Sequence, residues 1–478
     1  MVKNRITHFF SKSFKLYPIL IYCIFAFSCS STLNYSIKKK RRYFQKNIAL
    51  ILEEANLNAT IGIKIVSLEN SKTLYELNSK RLLIPASNMK LLTFASALES
   101  LGPEYFFKTI IGKDKENIVL IGGGDPTLTS YNLDSLARVI SIDKTNIDTL
   151  FINTSILDTL DYGMGWMWDE GSDEFSAPIS AITVDNNCIT FEYSPSEMGE
   201  PAQINFSPYS NLISIENQSI TVNDTVDYDP FRIDRDWVNQ TNKFIISGEV
   251  LREAIPDTLK KNIYNPRNYN AELFEHFLSS HGVKTNHIKF SNVEKKIDTL
   301  IVHESKPFGA ISKKMMFESN NQIAELLLRK IGYKAFGIGS SQSGSKAIKS
   351  FLFNKVNIDT NFLRIADGSG LSRYNLLSAD QIVNLLVYMN ENHFTEYFKN
   401  KLPNGGSKNS GLEDRLINTG DNVMAKTGSL SGVSTLSGYI NSEEHGPLAF
   451  SILINGFTGS LEPLREFQNQ LCRWLVKG

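Results

Sequence analysis

The chain is organised around the stretch Pro85-Ala86-Ser87-Asn88-Met89-Lys90 and the apolar run from Leu91 to Gly102 that follows it. The run has apolar residues at helical spacing and stops at a Gly-Pro pair, so it predicts a helix that begins at or near Ser87. Ser87 and Lys90 are close to one helical turn apart, which places both side chains on one face. A serine becomes a nucleophile when a base takes its proton, and a lysine whose pKa is lowered by burial can be that base.

The Ser-x-x-Lys spacing alone is a weak signal, because it recurs at three other places in the chain. Two later stretches strengthen it. Ser319-Asn320-Asn321 stands immediately before a helical run, and Lys426-Thr427-Gly428 is the only Lys-Thr-Gly of the chain, in a strand-like segment. Ser-x-x-Lys, Ser-x-Asn and Lys-Thr-Gly in this order are the triple signature of serine acyl-enzymes that react with penicillin.

Length and composition limit the possible classes of protein. A chain of 478 residues suggests two or three domains, and 42% hydrophobic residues are too few for a protein with many membrane spans. The 50 basic and 50 acidic side chains balance, and nothing indicates a nucleic-acid partner. The four cysteines and seven histidines lack metal-ligand spacing, so we expect no metal site and no cofactor. The sequence leaves open whether Cys188 and Cys472 form a disulfide.

Residues 1–28 have the pattern of an export signal, in which basic residues precede an apolar core from Leu16 to Phe27. Small residues before Cys29 resemble a lipoprotein processing site, in which the cysteine is lipidated. An ordinary signal peptide cut at the same position is the alternative. We favour a lipid anchor at Cys29, because a free thiol at a new N-terminus is an odd choice outside the cell. Residues 29–42 would then form a basic tether able to lie on anionic lipid headgroups.

The two ends of the chain have the pattern of one domain. An amphipathic helix from Tyr43 to Leu57 precedes two strands, and strands between Val423 and Asn455 precede a last amphipathic helix. We expect these strands to pair in one antiparallel sheet with helices on its faces, which is an α/β (α+β) fold class. The catalytic domain would comprise residues 43–105 and 305–478.

Residues 106–304 have a different pattern, which indicates an inserted region of two mostly β subdomains. Short strand-like pieces alternate with turns rich in Asn, Asp, Gly and Pro, and Ile182 to Val184 is one of the predicted strands. We expect the large aromatic residues Trp166, Trp168 and Phe175 of this region to lie in its core.

Two further stretches complete a family pattern: Gly123-Gly124-Asp125-Pro126-Thr127-Leu128 and Asp367-Gly368-Ser369-Gly370-Leu371-Ser372-Arg373. Together with the three motifs, they resemble the class C low-molecular-mass penicillin-binding proteins, which are D-alanyl-D-alanine carboxypeptidases and endopeptidases. The resemblance runs from about Ile48 to the C-terminus. It implies a transpeptidase/β-lactamase-like domain, interrupted by inserted domains between the first two motifs, and a location outside the cytoplasmic membrane, in the periplasm or cell envelope.

The resemblance also implies a mechanism and its partners. Ser87 attacks the carbonyl between two D-alanines of a peptidoglycan stem peptide, and Lys90 is the base for that step. Ser319 relays a proton to the leaving amine, while Asn321 hydrogen-bonds Lys90 and the substrate amide. β-Lactams acylate the same serine.

The Lys-Thr-Gly strand completes the implied site. Lys426 keeps the site positive and, with Thr427, binds the terminal carboxylate of the substrate. Gly428 has no side chain, so substrate can lie along the strand edge. The backbone N–H groups of Ser87 and Ser429 are the implied oxyanion hole.

In some members of this family, an acidic residue of the inserted region and the arginine of the Asp-Gly-Ser-Gly loop hold the far end of a diaminopimelate side chain. Arg373 is that arginine here. Glu170 stands at the acidic position, where aspartate is usual, and the neighbouring Asp169 is the alternative. One acid and one base suit the ammonium and the carboxylate at that end.

Two other functions share some of these features. A β-lactamase uses the same three motifs but needs rapid deacylation by a positioned water, and the long insertion disfavours it. A non-catalytic wall-binding lipoprotein on this fold is the other alternative, and the intact motifs disfavour it. The sequence leaves open the balance of carboxypeptidase and endopeptidase activity, and the oligomeric state.

Overall fold

The structure is a computed structural model that describes residues 42–167, 169–224, 228–291 and 297–478. The predicted signal peptide, Cys29 and the predicted tether up to residue 41 lie outside these ranges, as does Trp168. Within the described ranges, no helix has both the length and the apolar character that crossing a membrane requires.

The first part of the chain starts a sheet and then leads to the serine motif. Helix α1 (residues 42–55) is followed by strands β1 (Thr60–Ser67) and β2 (Thr73–Leu77). A short 3₁₀ turn (Ala86–Asn88) runs without a break into helix α2 (Met89–Ser100). All but the last two residues of α2 are buried, because the helix carries apolar residues on every side and passes through the core. The helix predicted at this position is confirmed.

The middle segment, residues 106–304, contains most of the strands. In chain order its elements are β3 (Lys108–Asp114), β4 (Asn117–Ile121), α3 (Ser130–Asp143), β5 (Asn146–Asn153), β6 (Cys188–Ser194), β7 (Gln203–Ser207), β8 (Ser214–Asn217), β9 (Ile220–Val222), β10 (Arg232–Arg235), β11 (Lys243–Ser247), β12 (Glu249–Leu251), β13 (Asp257–Asn262), α4 (Pro266–Ser280), β14 (Lys284–Phe290) and β15 (Asp298–Glu304). They form a five-stranded sheet in the order β14-β5-β4-β3-β15, the three-stranded sheets β13-β6-β7 and β10-β11-β8, and the pair β12-β9. All of these strands except β9 and β12 share a hydrophobic core with α3 and α4.

The strand predicted at Ile182 to Val184 is wrong. These residues form bends, although Ile182 and Val184 are buried in the core of the middle segment. The next three residues, from Asp185 to Asn187, all have positive φ, which is incompatible with extended pairing. The apolar residues therefore indicate burial of a loop here, not a strand.

The last part of the chain returns to the first sheet. Its elements are α5 (Phe308–Phe317), α6 (Asn321–Phe336), α7 (Ser341–Asn354), α8 (Ala379–Glu391), α9 (Thr395–Lys399), β16 (Val423–Leu430), β17 (Val433–Ser442), β18 (Gly446–Asn455) and α10 (Glu462–Lys477). The sheet has the order β16-β17-β18-β1-β2, and every pair in it is antiparallel. Helices α2 and α5 to α8 cover one face, and α1 and α10 cover the other. The predicted antiparallel sheet with helices on its faces is confirmed.

Cys188 and Cys472 are both buried free thiols. One begins β6 in the middle segment and the other lies in α10, so the disulfide that the sequence leaves open is not formed.

Candidate active site

The turn before α2 is held between the sheet and a glycine-rich loop. Ala86 has a φ of 45°, which is a strained conformation for a residue with a side chain. Asn88 Nδ2 donates a hydrogen bond to the carbonyl of Lys426 in β16, at 2.8 Å. A Cβ at Gly370 would lie 1.9 Å from the carbonyl oxygen of Ala86, so only glycine fits beside this turn. These contacts fix the position from which Ser87 presents its hydroxyl.

Lys90 lies one turn after Ser87 and is fully buried. Its Nζ donates to three acceptors: Ser87 Oγ at 3.1 Å, Asn321 Oδ1 at 2.7 Å and the carbonyl of Ser369 at 2.7 Å. An ammonium has three hydrogens, so this cage accounts for all of them. When the amine is neutral, the Ser87 hydroxyl is the one partner among the three that can donate to its lone pair.

Burial also sets the charge of the two lysines at the site. Burial lowers the pKa of Lys90 from its ordinary value of 10.5 to about 7, while Asp367 and Glu325 act in the opposite direction. Near neutral pH, a large fraction of Lys90 is therefore an unprotonated amine. Burial, and then the nearby charge of Lys90, lower the pKa of Lys426 as well. Repulsion between two ammonium groups destabilises both, so the site favours the state in which only one of Lys90 and Lys426 is protonated.

The Ser-x-Asn motif forms the turn into α6. Asn320 caps this helix, since its Oδ1 accepts from the backbone N–H of Ile323 at 2.9 Å. Asn321 Nδ2 donates to the carbonyl of Phe175 in the middle segment at 2.9 Å, while its Oδ1 faces Lys90. Ser319 is not among the three acceptors of Lys90. It lines an open groove of about 680 Å³ that begins at the Lys-Thr-Gly strand.

Four predicted site residues, Lys426 to Ser429, lie in order along β16, which is an edge strand of its sheet. Gly428 is the one that approaches the nucleophile: a Cβ there would lie 2.8 Å from the backbone nitrogen of Ser87 and 2.3 Å from Thr435 Oγ1. The backbone of β16 therefore passes directly against the start of α2. Ser429 is exposed, so this edge is open to a ligand.

The Asp-Gly-Ser-Gly loop is built around Asp367, whose side chain is fully buried. Its oxygens accept from the backbone N–H of Gly370 at 2.8 Å and from Asn375 Nδ2 at 2.6 Å. Trp166 Nε1, from the middle segment, donates to the same carboxylate at 3.0 Å. This cage folds the loop so that one of its carbonyls reaches Lys90. Trp166 is half-buried, and its indole N–H finds in this carboxylate the acceptor that a buried tryptophan requires.

Glu170 and Arg373 lie on the outer side of the site, and both are half-buried. Arg373 Nη1 donates to the carbonyl of Ser431 at 3.0 Å. Burial, and then Asp169, raise the pKa of Glu170, while Arg373 acts in the opposite direction, so the acid and the base interact electrostatically. Glu170 also lines a pocket of about 440 Å³ together with Trp166, whereas Asp169 is exposed. Arg373 does not line this pocket of about 440 Å³. We use the term outer pocket for the pair Glu170 and Arg373.

From residue 44 to residue 477, the chain matches the model of the D-Ala-D-Ala carboxypeptidase 3 (S13) family. The chain belongs to this family.

Named relatives agree with this membership. The D-alanyl-D-alanine carboxypeptidase of Actinomadura sp. (strain R39) is 31% identical over 448 residues, which cover 87% of this chain and 81% of the relative. The D-alanyl-D-alanine carboxypeptidase DacB of Haemophilus influenzae is 30% identical over 458 residues, which cover 90% of this chain and 94% of the relative. The crystal structure of penicillin binding protein 4 (dacB) from H. influenzae matches with a TM-score of 0.79 at 27% identity, over 90% of this chain and 100% of that one. A structure of the same protein complexed with a β-lactam has a TM-score of 0.74.

The predicted class is therefore confirmed. This S13 carboxypeptidase has the fold of the class C low-molecular-mass penicillin-binding proteins, and it is an enzyme of the serine-type D-Ala-D-Ala carboxypeptidase kind. The alternative of a non-catalytic protein on the same fold is not needed to explain its motifs.

Three groups at the site of this carboxypeptidase were not singled out from sequence: Asp367, Glu325 and the carbonyl of Phe175. Asp367 had a usable signal, because the single acid of a glycine-rich loop is the natural acceptor for the backbone N–H groups of that loop. Glu325 is one acid in a long helical run, and its position beside the loop depends on long-range packing. The Phe175 contact involves only a backbone carbonyl of a distant segment, which no side-chain pattern reveals. The Phe175 side chain is exposed, so the expectation that it lies in the core is wrong.

Proposed function

We propose that this S13 carboxypeptidase cleaves the bond between two D-alanines of peptidoglycan stem peptides through an acyl-enzyme on Ser87, and that penicillin acylates the same serine. The observation that carries this proposal is the cage around Lys90, which holds a buried amine 3.1 Å from Ser87 Oγ. The same chemistry, applied to a stem peptide whose terminal D-alanine is linked to another strand, is endopeptidase activity.

In the acylation step, neutral Lys90 takes the proton of Ser87 as Oγ attacks the carbonyl carbon. The N–H groups of Ser87 and Ser429 bind the oxygen that becomes negative, and the close approach of Gly428 to the nitrogen of Ser87 supports this assignment. The tetrahedral intermediate then breaks its C–N bond. The proton held by Lys90 passes through Ser319 to the leaving amine.

Lys426 and Thr427 hold the terminal carboxylate of the substrate, and the groove that Thr427 lines supports this placement. Asn321 Nδ2 has two hydrogens, one of which is used by Phe175. The other is the donor that we assign to the substrate amide. Water then attacks the acyl-enzyme and releases the shortened peptide, and an amine in place of water gives transpeptidation.

Glu170 and Arg373 select the side chain that precedes the D-alanines. A diaminopimelate side chain ends in an ammonium and a carboxylate, and the outer pocket offers one acid and one base within electrostatic reach of each other. Asp169 is the alternative acid, and its exposure makes it the weaker one.

The domain organisation is part of this proposal. Residues 43–105 and 305–478 form the catalytic domain, and residues 106–304 form an inserted region. The strands of the middle segment begin at Lys108 and end at Glu304, and all but two of them share a hydrophobic core, which supports these limits.

We also propose that the protein is exported and works in the periplasm or cell envelope, because its substrate lies there, and that Cys29 carries a lipid. The mature protein should then partition with membranes, and Cys29→Ser should release it or block its maturation. Membrane binding that survives Cys29→Ser unchanged would indicate an uncleaved anchor instead.

A labelled penicillin tests the central claim. Mass spectrometry should find the adduct on the peptide that contains Ser87, and Ser87→Ala should carry no label. Label on any other peptide, or label that persists in the variant, refutes the assignment. Slow release of the label distinguishes this enzyme from a β-lactamase, and hydrolysis of a D-Ala-D-Ala peptide and of a cross-linked dimer measures the two activities separately.

A further inference from the structure

Helix α6 carries a buried ion pair that the mechanism above does not use. Glu325 and Arg329 lie one turn apart, and both are fully buried. Arg329 Nη1 donates to Glu325 Oε2 at 3.1 Å. A buried ion pair is weak evidence for stability, because the loss of hydration of two charges can exceed their attraction. Its position in the molecule is therefore more informative than its contribution to stability.

The second oxygen of Glu325 holds the loop that contacts the lysine. Glu325 Oε1 accepts from the backbone N–H groups of Gly368 and Ser369, both at 2.9 Å. The carbonyl of Ser369 accepts from Lys90 Nζ at 2.7 Å, and the carbonyl of Gly368 accepts from Thr93 Oγ1 at 2.7 Å. A single loop residue, Ser369, therefore connects Glu325 to the amine of Lys90. Its N–H is held by Glu325, and its carbonyl is held by Lys90.

Arg329 extends the same chain of contacts to the middle segment. Its Nη2 lies 3.4 Å from the carbonyl of Leu160 and 3.4 Å from that of Tyr162. Its Nε lies 3.9 Å from Asp158 Oδ1. The stretch that these contacts hold leads directly to Trp166, which donates to the carboxylate at the centre of the loop. The loop is therefore held from two sides: from α6 through Glu325, and from the middle segment through Trp166.

We propose that Glu325, anchored by Arg329, is a positioning residue for the general base: it holds the Ser369 carbonyl against Lys90 and supplies part of the negative charge that faces the amine. This proposal rests on the proposed function, in which Lys90 is the base. Glu325 does not touch the substrate or Ser87, and it acts only through the loop and through its charge.

The charged groups that face Lys90 come from three elements. Asp367 lies in the loop, Glu325 on α6 and Lys426 on β16, and Arg329 backs Glu325. Glu325 raises the pKa of Lys90 because its negative charge stabilises the ammonium form. Burial, and then Asp367, raise the pKa of Glu325 itself, while its ion pair with Arg329 acts in the opposite direction and favours the charged carboxylate. Acylation needs the neutral amine, so its rate falls as the pH drops below the pKa of Lys90. Removing the charge of Glu325 should therefore lower that pKa and move the acid limb of the rate profile to lower pH.

The test is the second-order rate constant for acylation by a fluorescent penicillin, measured across pH 5 to 9 on the full chain. Glu325→Gln should move the acid limb down by on the order of one pH unit. It should also lower the plateau by about tenfold to a hundredfold, because a neutral amide oxygen accepts the two loop N–H groups more weakly than a carboxylate oxygen and so holds the carbonyl beside Lys90 less firmly. Active-site titration with the same penicillin normalises each rate to the folded enzyme.

A matched control and a second variant keep the result interpretable. Asp380→Asn removes the carboxylate of the ion pair with Lys64, which is not among the contacts that hold the loop, and should lower the melting temperature without moving the acid limb. If Glu325→Gln does not fold, the double variant Glu325→Gln/Arg329→Gln removes both charges while keeping an acceptor for the loop. It should move the acid limb in the same direction.

Three outcomes separate the possibilities. An acid limb and plateau equal to those of the wild type, in whichever of these variants folds, mean that Glu325 only packs, and they overturn the inference. An acid limb that moves to higher pH also overturns it, because the sign is then wrong. If Lys90→Arg acylates at the wild-type rate, Lys90 is not the general base, and the proposed function is refuted. This result does not depend on any change at Glu325, so the two failures can be told apart.

Discussion

The buried part of the active site around Lys90 and Lys426, here called the floor, differs from the outer pocket in how its charged groups are held. Lys90 and Lys426, on the floor, are at most 1% exposed, and each hydrogen of the Lys90 ammonium has an acceptor within 3.1 Å. Glu170 and Arg373, in the outer pocket, are half-buried. Burial on the floor changes which protonation state exists at neutral pH, whereas partial exposure leaves the outer groups available to a ligand.

This difference indicates a division of work between chemistry and selectivity. The floor is built by α2, α6 and β16, which belong to the parts of the chain around the antiparallel sheet. The outer pocket takes its acid from the middle segment and its base from the loop after Asp367. Changes on the floor should therefore affect every substrate, and changes in the outer pocket should affect only substrates that reach it.

Lys90→Arg should have the largest effect. Arginine keeps the positive charge but does not lose its proton in proteins, so it cannot act as a base. General base catalysis is worth roughly 10²- to 10⁴-fold, and we expect the acylation rates with penicillin and with a D-Ala-D-Ala peptide to fall together by about that factor. Stopped-flow acylation measures both. A variant that acylates within a few fold of the wild type would make Lys90 an electrostatic element only.

Gly428→Ala should have the second largest effect. The new methyl group would lie 2.8 Å from the nitrogen of Ser87 and 2.3 Å from Thr435 Oγ1, so the strand or the turn must move. Loss of one oxyanion donor costs about 10²- to 10³-fold in kcat, and the loss should again be equal for peptide and penicillin. Gly432→Ala, in the turn after β16, is the control for general strain, because the positive φ of Gly432 (71°) strains an alanine there, whereas the new Cβ would come no closer than 3.2 Å to a neighbouring atom. If the two variants lose the same activity, the close approach at Gly428 has no special role.

The wild-type rate should itself depend on pH in a predictable way. The pKa of Lys90 is lowered to about 7, so its neutral form is present above that pH and is lost as the pH falls. Acylation should therefore be on a plateau above about pH 8 and fall by about tenfold per pH unit below about pH 6. The profile should be the same for penicillin and for peptide, because both use the same base. An acid limb centred near pH 4 would point to a carboxylate as the base instead.

The sequence predicts the antiparallel sheet well because its central strands are rich in buried apolar residues. Thr60–Ser67 and Gly446–Asn455 are mostly buried and carry several isoleucine, leucine and valine side chains, which are typical of strands between two layers of helices. Strands β14 and β15 of the middle segment were missed. They are the two edges of their sheet, and most of their side chains are exposed, so they carry little apolar signal.

The site shows the same contrast between local and long-range information. A known motif order predicted that Lys90 and Asn321 would meet, although 231 positions separate them. Glu325 could not be assigned, because its role depends on the exact placement of two backbone N–H groups of a distant loop. Side-chain type and spacing in the sequence are enough to identify reacting groups such as Lys90. The groups that position them, such as Glu325, become apparent only in the folded structure.

Glu170→Gln should have the smallest and the most selective effect. It removes the charge of the outer acid while keeping its shape, so a diaminopimelate side chain loses one charge-assisted contact. Such a contact is worth roughly 1.5–3 kcal/mol when shielded from water, and half-exposure places it near the lower limit. We expect kcat/KM for a diaminopimelate peptide to fall by about tenfold. A minimal acylated D-Ala-D-Ala peptide and penicillin lack that far end, so their rates should hardly change.

Asp169→Asn is the matched control, because it removes the charge of the adjacent, exposed acid. It should leave all three rates within about twofold of the wild type, since an exposed charge is screened by solvent. A selective loss in Asp169→Asn, with none in Glu170→Gln, would assign the pocket to Asp169. An equal loss on both peptides in Glu170→Gln would mean that Glu170 supports the fold of the floor, and the division between chemistry and selectivity would then not hold at this residue.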